Sequence, residues 1–225
     1  MLYDFHTHSY LSDGALVPME LIRRCIRSGY TAMAIADHVA SGTMQRTIEE
    51  TRGDAVLAAE RWNFTCLVAV ELTHVPASAI AELASRAREL GAELIIVHGE
   101  TIVEPVEPGT NLAAVSCPQV DILAHPGLLT EEEAALAAEN GVFLEITRRQ
   151  GHCLTNGLVV KRALETGARL VVSSDGHAPG DYLTEELARQ VVLGAGVPES
   201  EIQQILQDNP QELLRRGLGR REAQA

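Results

Sequence analysis

The chain has 225 residues, 46% hydrophobic and 22% charged, with 18 Lys and Arg against 31 Asp and Glu, and a net charge of −13. This balance excludes a disordered or fibrous class and suits one domain of ordinary size. The acidic excess disfavours a broad duplex-DNA surface, which needs a basic face, but not a small anion held where the local field is reversed.

In chain order, the apolar run at residues 2–5 reads as a first strand. Pro18 opens a helix, a position its fixed φ suits, and Gly29 closes it. Residues 31–36 form a second strand. A helical pattern follows over 43–62, with a break expected at Gly53, and then a third strand at 65–70. Gly91 precedes a fourth strand at 94–97, and a fifth falls at 122–124. Thr130 with Glu133 is a capping box ahead of an Ala-rich helix. Gly141 and Gly167 then introduce a sixth strand at 142–146 and a seventh at 170–173. Helical patterns at 184–193 and 199–206 come before a last short helix at Asn209-Pro210. Gly just past a helical stretch suits the left-handed C-terminal position, and short continuous apolar runs suit strands buried on both faces. Seven βα units without a hairpin signal predict an α/β fold with a parallel sheet closed into a barrel. Residues 1–218 are expected to form a single domain and 219–225 a frayed tail.

No run reaches the roughly 18 apolar residues of a membrane span, and the N-terminus lacks the basic and apolar regions of a leader. The expectation is a cytoplasmic protein that does not engage a membrane. Cys25, Cys66, Cys117 and Cys153 form no CxxC pair and read as reduced thiols.

The histidines follow one rule. His6 and His8 end the first strand, His38 the second, His98 the fourth and His125 the fifth, and His177 follows the seventh. Glu71 ends the third strand, Glu145 lies near the end of the sixth and Asp175 ends the seventh. In a parallel barrel all these ends open on the C-terminal face, where barrel enzymes carry their sites. Burying so many polar groups without partners costs several kcal/mol each, and a metal cluster satisfies them together. His-x-His on a strand puts His6 and His8 on one side and Thr7 on the other. An all N/O donor set suits Zn, Mn or Fe.

His6-Thr7-His8-Ser9, Ser12-Asp13-Gly14, Asp37-His38, Glu71, His98, His125 and Asp175-Gly176-His177 together resemble the PHP (polymerase and histidinol phosphatase) superfamily, over nearly the whole chain. The resemblance implies a distorted (β/α)7 TIM-like barrel with a trinuclear metal site at the C-terminal face of the strands. It implies three divalent ions: one on His6, His8, Glu71 and Asp175; one on Asp13, His38 and His177; one on Glu71, His98 and His125. Three such ions against three ligand carboxylates leave the pocket cationic, and a phosphate ester is its natural guest. The expected reaction is metal-assisted phosphoester hydrolysis, with a metal-bound hydroxide held by Glu71, Asp175 and His177 attacking phosphorus.

Arg148, Arg149 and His152, after the sixth strand, are candidate substrate contacts, since an arginine fork suits phosphate. Asn156 is a candidate for reading the rest of the substrate. Asp37 or Glu145 is a candidate partner for a ligand imidazole. His74 reads as an ordinary polar residue. The favoured substrate is a small monoester such as histidinol phosphate or a nucleotide. The alternatives are a phosphodiesterase or 3′–5′ exonuclease on short oligonucleotides, and a non-catalytic metal-stabilised regulatory module. An amidohydrolase-like barrel fits poorly, because such barrels commonly bridge two metals with a lysine and the only lysine, Lys161, falls in a helical stretch. The physiological substrate, the native metal and the oligomeric state stay open at the level of sequence.

Overall fold

The structure, a computed structural model, describes residues 1–224. Its strands are Leu2–Asp4 (β1), Tyr30–Ile35 (β2), His38–Val39 (β3), Thr65–Leu72 (β4), Leu94–His98 (β5), Ile122–Ala124 (β6), Phe143–Thr147 (β7) and Leu170–Ser173 (β8). They pair in parallel in the order β1-β2-β4-β5-β6-β7-β8, with the two-residue β3 added on β4. The helices are Pro18–Arg27 (α1), Met44–Trp62 (α2), Ile80–Glu89 (α3), Thr110–Val115 (α4), Glu131–Asn140 (α5), Asn156–Thr166 (α6), Glu185–Gly194 (α7) and Asn209–Gln224 (α8). All seven strands expected from the sequence are present, and β3 is the addition. α2 runs through Gly53 unbroken. Gly53 sits on its exposed side, where glycine costs about 1 kcal/mol of helix propensity without forcing a break.

The sheet is nearly closed as an α/β TIM-like barrel. At its seam the segments that follow β1 and β8 meet through a bridge between Thr7 and Gly176, where the His8 amide donates to the Gly176 carbonyl at 2.9 Å. Lower down the side chain of Asp4 replaces the missing ladder, accepting from the Ser174 amide at 3.2 Å and the His6 amide at 3.3 Å. Burial pushes this carboxyl up to about 7.

Alternate residues of each strand enter two different cores, as a side-chain period of two requires. Met33, Ile35, Val68, Val70, Ile95 and Val97 pack outward against the helices. Ala32, Ala34, Ala36, Leu67, Ala69, Leu94, Ile96 and Phe143 fill the lumen. Leu213 of α8 joins the lumen cluster, with Leu214 and Leu218 packed against it. α8 thus closes the end of the barrel where the strands begin.

This corrects the frayed tail expected at 219–225. Residues 219–224 continue α8, and Ala225 lies outside the described residues. The cause is electrostatic. Arg221 donates to Glu93 at 2.7 Å and to the Cys66 carbonyl at 2.8 Å, and Arg220 donates to Asp121 at 2.9 Å. Glu93 and Asp121, at or beside the starts of β5 and β6, are buried, and buried carboxylates need such partners.

Arg221→Ala should lower unfolding free energy by about 2–3 kcal/mol. That is somewhat less than the loss for a fully buried pair, because Arg221 is 36% exposed. Denaturant titration checks this, and a frayed tail would give no change.

Candidate metal centre

The lumen register carries the site. On β4 Leu67 and Ala69 are followed, two residues on, by Glu71; on β5 Leu94 and Ile96 are followed by His98; on β7 Phe143 is followed by Glu145. Ala34 and Ala36 lead in the same way to His38, and Val171 leads through Ser173 to Asp175. The first strand ends at Asp4. Beyond it His6 and His8 reach the site while the Thr7 hydroxyl turns away to donate to the Ala34 carbonyl at 2.8 Å.

Ring nitrogens and carboxylate oxygens converge there. His6 Nε2 lies 3.4 Å from Glu71 Oε1 and 3.9 Å from Asp175 Oδ1. His8 Nε2 lies 3.1 Å from Asp175 Oδ1. His125 Nε2 lies 3.6 Å from both Glu71 and Asp175. A second group gathers on Asp13, whose Oδ1 is 3.4 Å from His38 Nε2 and 3.2 Å from His177 Nε2. His8 and His177 stack with centroids 4.1 Å apart, which joins the two groups. His98 differs from the expectation. It lies beside His125, but its Nε2 faces Glu104 Oε2 at 3.1 Å.

These residues fit divalent ions. His6 Nε2, both ring nitrogens of His8, His125 Nδ1 and Glu71 Oε1 are buried without a hydrogen-bond partner. Leaving each of them so costs about 1–3 kcal/mol. Two ligand atoms on one ion, each ~2.1 Å from it, stand roughly 3.0–3.4 Å apart, close to most of the separations above. His6, His8, Glu71, His125 and Asp175 could hold an inner group of ions, and Asp13, His38 and His177 an outer one.

Neighbouring charge divides the protons unevenly. Burial disfavours the His6 imidazolium, but Glu145, Glu71 and Asp175 outweigh it and hold His6 well above the usual imidazole range. His38 is raised to about 10, because Glu71 and Asp13 overcome its burial. Burial together with His38 and His6 pushes His8 down to about 4, and burial with His98 lowers His125. Burial would raise Glu71, but His38 and His6 hold it well below the carboxylate range. Asp175 is likewise held low by His6 and His8 against its burial.

Other residues fix these groups in place. Glu145 takes His6 Nδ1 at 3.0 Å and accepts from the His125 amide at 3.0 Å. It is therefore the carboxylate that orients the His6 imidazole. Asp37 instead holds the loop that carries Asp13, accepting from the Ser9 amide at 2.7 Å and the Ser9 and Ser12 hydroxyls at 2.6 Å each. Left-handed φ values at His74 (51°), His125 (27°) and Asp175 (49°) concentrate backbone strain of roughly 1–3 kcal/mol each around the site. Gly127 lets the loop after β6 approach the loop after β5: with φ +66°, a Cβ there would lie 1.8 Å from the Glu100 carbonyl oxygen.

The arginine pair splits. Arg149 and His152 line the cavity of about 370 Å³ above the site. Arg148 turns away to Asp181 (2.9 Å) and the Gly180 carbonyl (2.9 Å), so its expected substrate contact is not supported by the geometry. Asn156 is also occupied elsewhere, bracing both the amide and the carbonyl of Thr147. Sequence reasoning missed Glu104 and Asp181. Neither carries a motif signal, because each acts across loops distant in sequence.

No family model matches the chain. It is 44% identical over 217 residues to an uncharacterized protein of Methanocaldococcus jannaschii, covering 96% of this chain and all of that one. A probable phosphatase of Caldanaerobacter subterraneus is 26% identical, covering 88% of this chain and 85% of that protein. A DNA polymerase/3′–5′ exonuclease of Bacillus subtilis is 29% identical over 77% of this chain but only 34% of its own length. Among solved structures, A. niger ochratoxinase shares the fold with TM-score 0.60 at 15% identity, over 94% of this chain and 70% of that one. A two-domain protein of Bacteroides vulgatus, described as containing a predicted PHP-like metal-dependent phosphoesterase, does so with TM-score 0.53 at 15% identity, over 98% and 69%.

Saturating Zn²⁺ or Mn²⁺ should raise the melting temperature of chelator-treated protein. A site held at a thousandfold excess over Kd adds ~4 kcal/mol, roughly ten degrees for a chain of this size. Scanning calorimetry with and without metal checks it.

Proposed function

From the premise that the chain belongs to the PHP superfamily, we propose that it is a metal-dependent phosphoesterase acting on a small phosphate monoester. The observation that carries this reading is the set of buried, partnerless His and carboxylate atoms facing one another beneath a cavity with an arginine at its wall. His6, His8, Glu71, His125 and Asp175, with Asp13, His38 and His177, would hold the ions. Bound divalent ions supply Lewis-acid stabilisation of phosphoryl oxygens and activation of water.

The chain's own side chains do the rest. Arg149 is 32% exposed at the cavity wall, and its guanidinium is free on one side to fork onto a phosphate while Asp181 steadies the other at 3.5 Å. Asp181 also accepts from the amides of His177 and Ala178, and so ties the arginine loop to the loop that carries His177. His152, nearly buried at the same wall, can contact the remainder of the substrate. The cavity suits a compact ester such as histidinol phosphate or a nucleotide.

A second reading, exonuclease action on short oligonucleotides, is favoured by the Bacillus subtilis relative. A net charge of −13 weighs against it. An amidohydrolase, despite the shared fold, lacks its bridging lysine here: Lys161 is exposed on α6 beside Glu165. Cytoplasmic residence is part of the proposal. Among the described residues no helix is long and apolar enough to cross a membrane.

Phosphate release with added Mn²⁺ or Zn²⁺, across monoesters, a diester and a short oligonucleotide, tests the proposal. Metal-dependent turnover fastest on a monoester is expected. Turnover on the oligonucleotide alone would support the exonuclease, and none on a metal-loaded, folded sample would overturn both. Glu71→Gln should lower kcat by at least about a hundredfold, and Arg149→Ala should raise KM for the phosphate substrate roughly tenfold or more, the loss of a charge-assisted bidentate contact.

A further inference from the structure

We propose that Glu104 and His74, neither of which is in the nine-residue ligand set, join His98, which is, in a divalent-cation site at the mouth of the cavity. The inference deepens the metal-centre reading but requires cation binding alone, not phosphoester hydrolysis.

His98 supplies the first argument. Its Nδ1 lies 3.1 Å from the Gly99 carbonyl, which can only accept, so Nδ1 carries a proton. The other ring nitrogen, Nε2, faces Glu104 Oε2 at 3.1 Å. An imidazole nitrogen and a carboxylate oxygen at that distance can share one divalent ion. His74 Nε2 approaches the same Glu104 oxygen at 3.3 Å. The ligand atoms of His74, His98 and Glu104 all lie within 4.8 Å of one another. Both measured separations match two donors sharing one ion. Glu71, in contrast, makes its close contacts with His6, His38 and His125.

His152 supplies a second, independent observation. It is nearly buried, its Nε2 faces Glu104 Oε1 at 3.3 Å, and its Nδ1 has no hydrogen-bond partner. A single loop carboxylate thus draws three imidazoles from three separate segments of the chain.

The loop that delivers Glu104 is clamped at its base. Glu100 Oε1 accepts from the amides of Gly109 (3.0 Å) and Asn111 (2.9 Å), and Asn111 Oδ1 accepts from the Glu100 amide at 2.9 Å. Asn111 also donates to the Pro126 carbonyl at 2.8 Å. These contacts clamp the base of the loop from which Glu104 reaches the cavity wall.

Competitive Zn²⁺ titration and metal counting on full-length Glu104→Gln and His74→Gln, with Glu107→Gln as a control on the same loop, test the site. Each of the first two variants should bind one ion fewer, or bind its weakest ion at least about tenfold less tightly, the minimum expected when even an outer-shell partner is lost. Their Co²⁺ spectra should change, while Glu107→Gln and the melting of metal-free protein should not. Unchanged ion number and affinity in Glu104→Gln would overturn the proposal. So would an equal loss in Glu107→Gln, which would indicate a general charge effect. Tighter inhibition of Glu104→Gln by inorganic phosphate at an unchanged ion count would also overturn it, by making Glu104 an occupant of the phosphate position. None of these readouts depends on turnover.

Discussion

Buried carboxylates and imidazoles that face one another are the constraint on which the rest of this molecule depends. Glu71 and Asp175 are inaccessible carboxylates, and the nitrogens opposite them belong to His6, His8 and His125, which are equally buried. Hydrogen bonds within the chain leave several of these atoms unpaired. A fold can keep such groups in so dry a place only if cations compensate them, or if the strain is met by stability elsewhere.

The barrel meets that demand by geometry. Small lumen residues such as Ala32, Ala34 and Ala69 leave a narrow, well-filled core, and the next residues in the same register become the polar layer. Ala124 faces the lumen, so the register would turn His125 away, and the backbone bends there into a left-handed conformation that glycine would take more readily; Asp175, although in register, adopts one as well. Glu145 and Asp37 then lock a ring and a loop, so that the convergence does not rely on mobile side chains.

Stability comes from the opposite end. α8 fills the lumen with Leu213 and ties Glu93 and Asp121 through Arg220 and Arg221. Site and plug sit at the two ends of the same strands. The C-terminal residues, which look expendable in composition, hold the base of the scaffold that carries the strained face. The acidic surface does not oppose an anionic guest, because any ions held on the histidines set the local field within the cavity.

By itself the sequence determined the strands, their parallel arrangement and the side of the barrel that carries the chemistry. Strands buried on both faces are written as short apolar runs, and a His or carboxylate just past each run falls on the same face whatever the details of packing. Only the tertiary structure decided which side chains of that face meet. Arg148 and Arg149 are adjacent in sequence, yet Asp181 draws one away and leaves the other at the cavity. His98 turns to Glu104, a loop residue with no motif around it, and α8 runs on as a helix because two buried carboxylates ahead of β5 and β6, far from it in sequence, await its arginines. Each of these outcomes depends on contacts between segments far apart in the chain, and such contacts leave no local pattern to read.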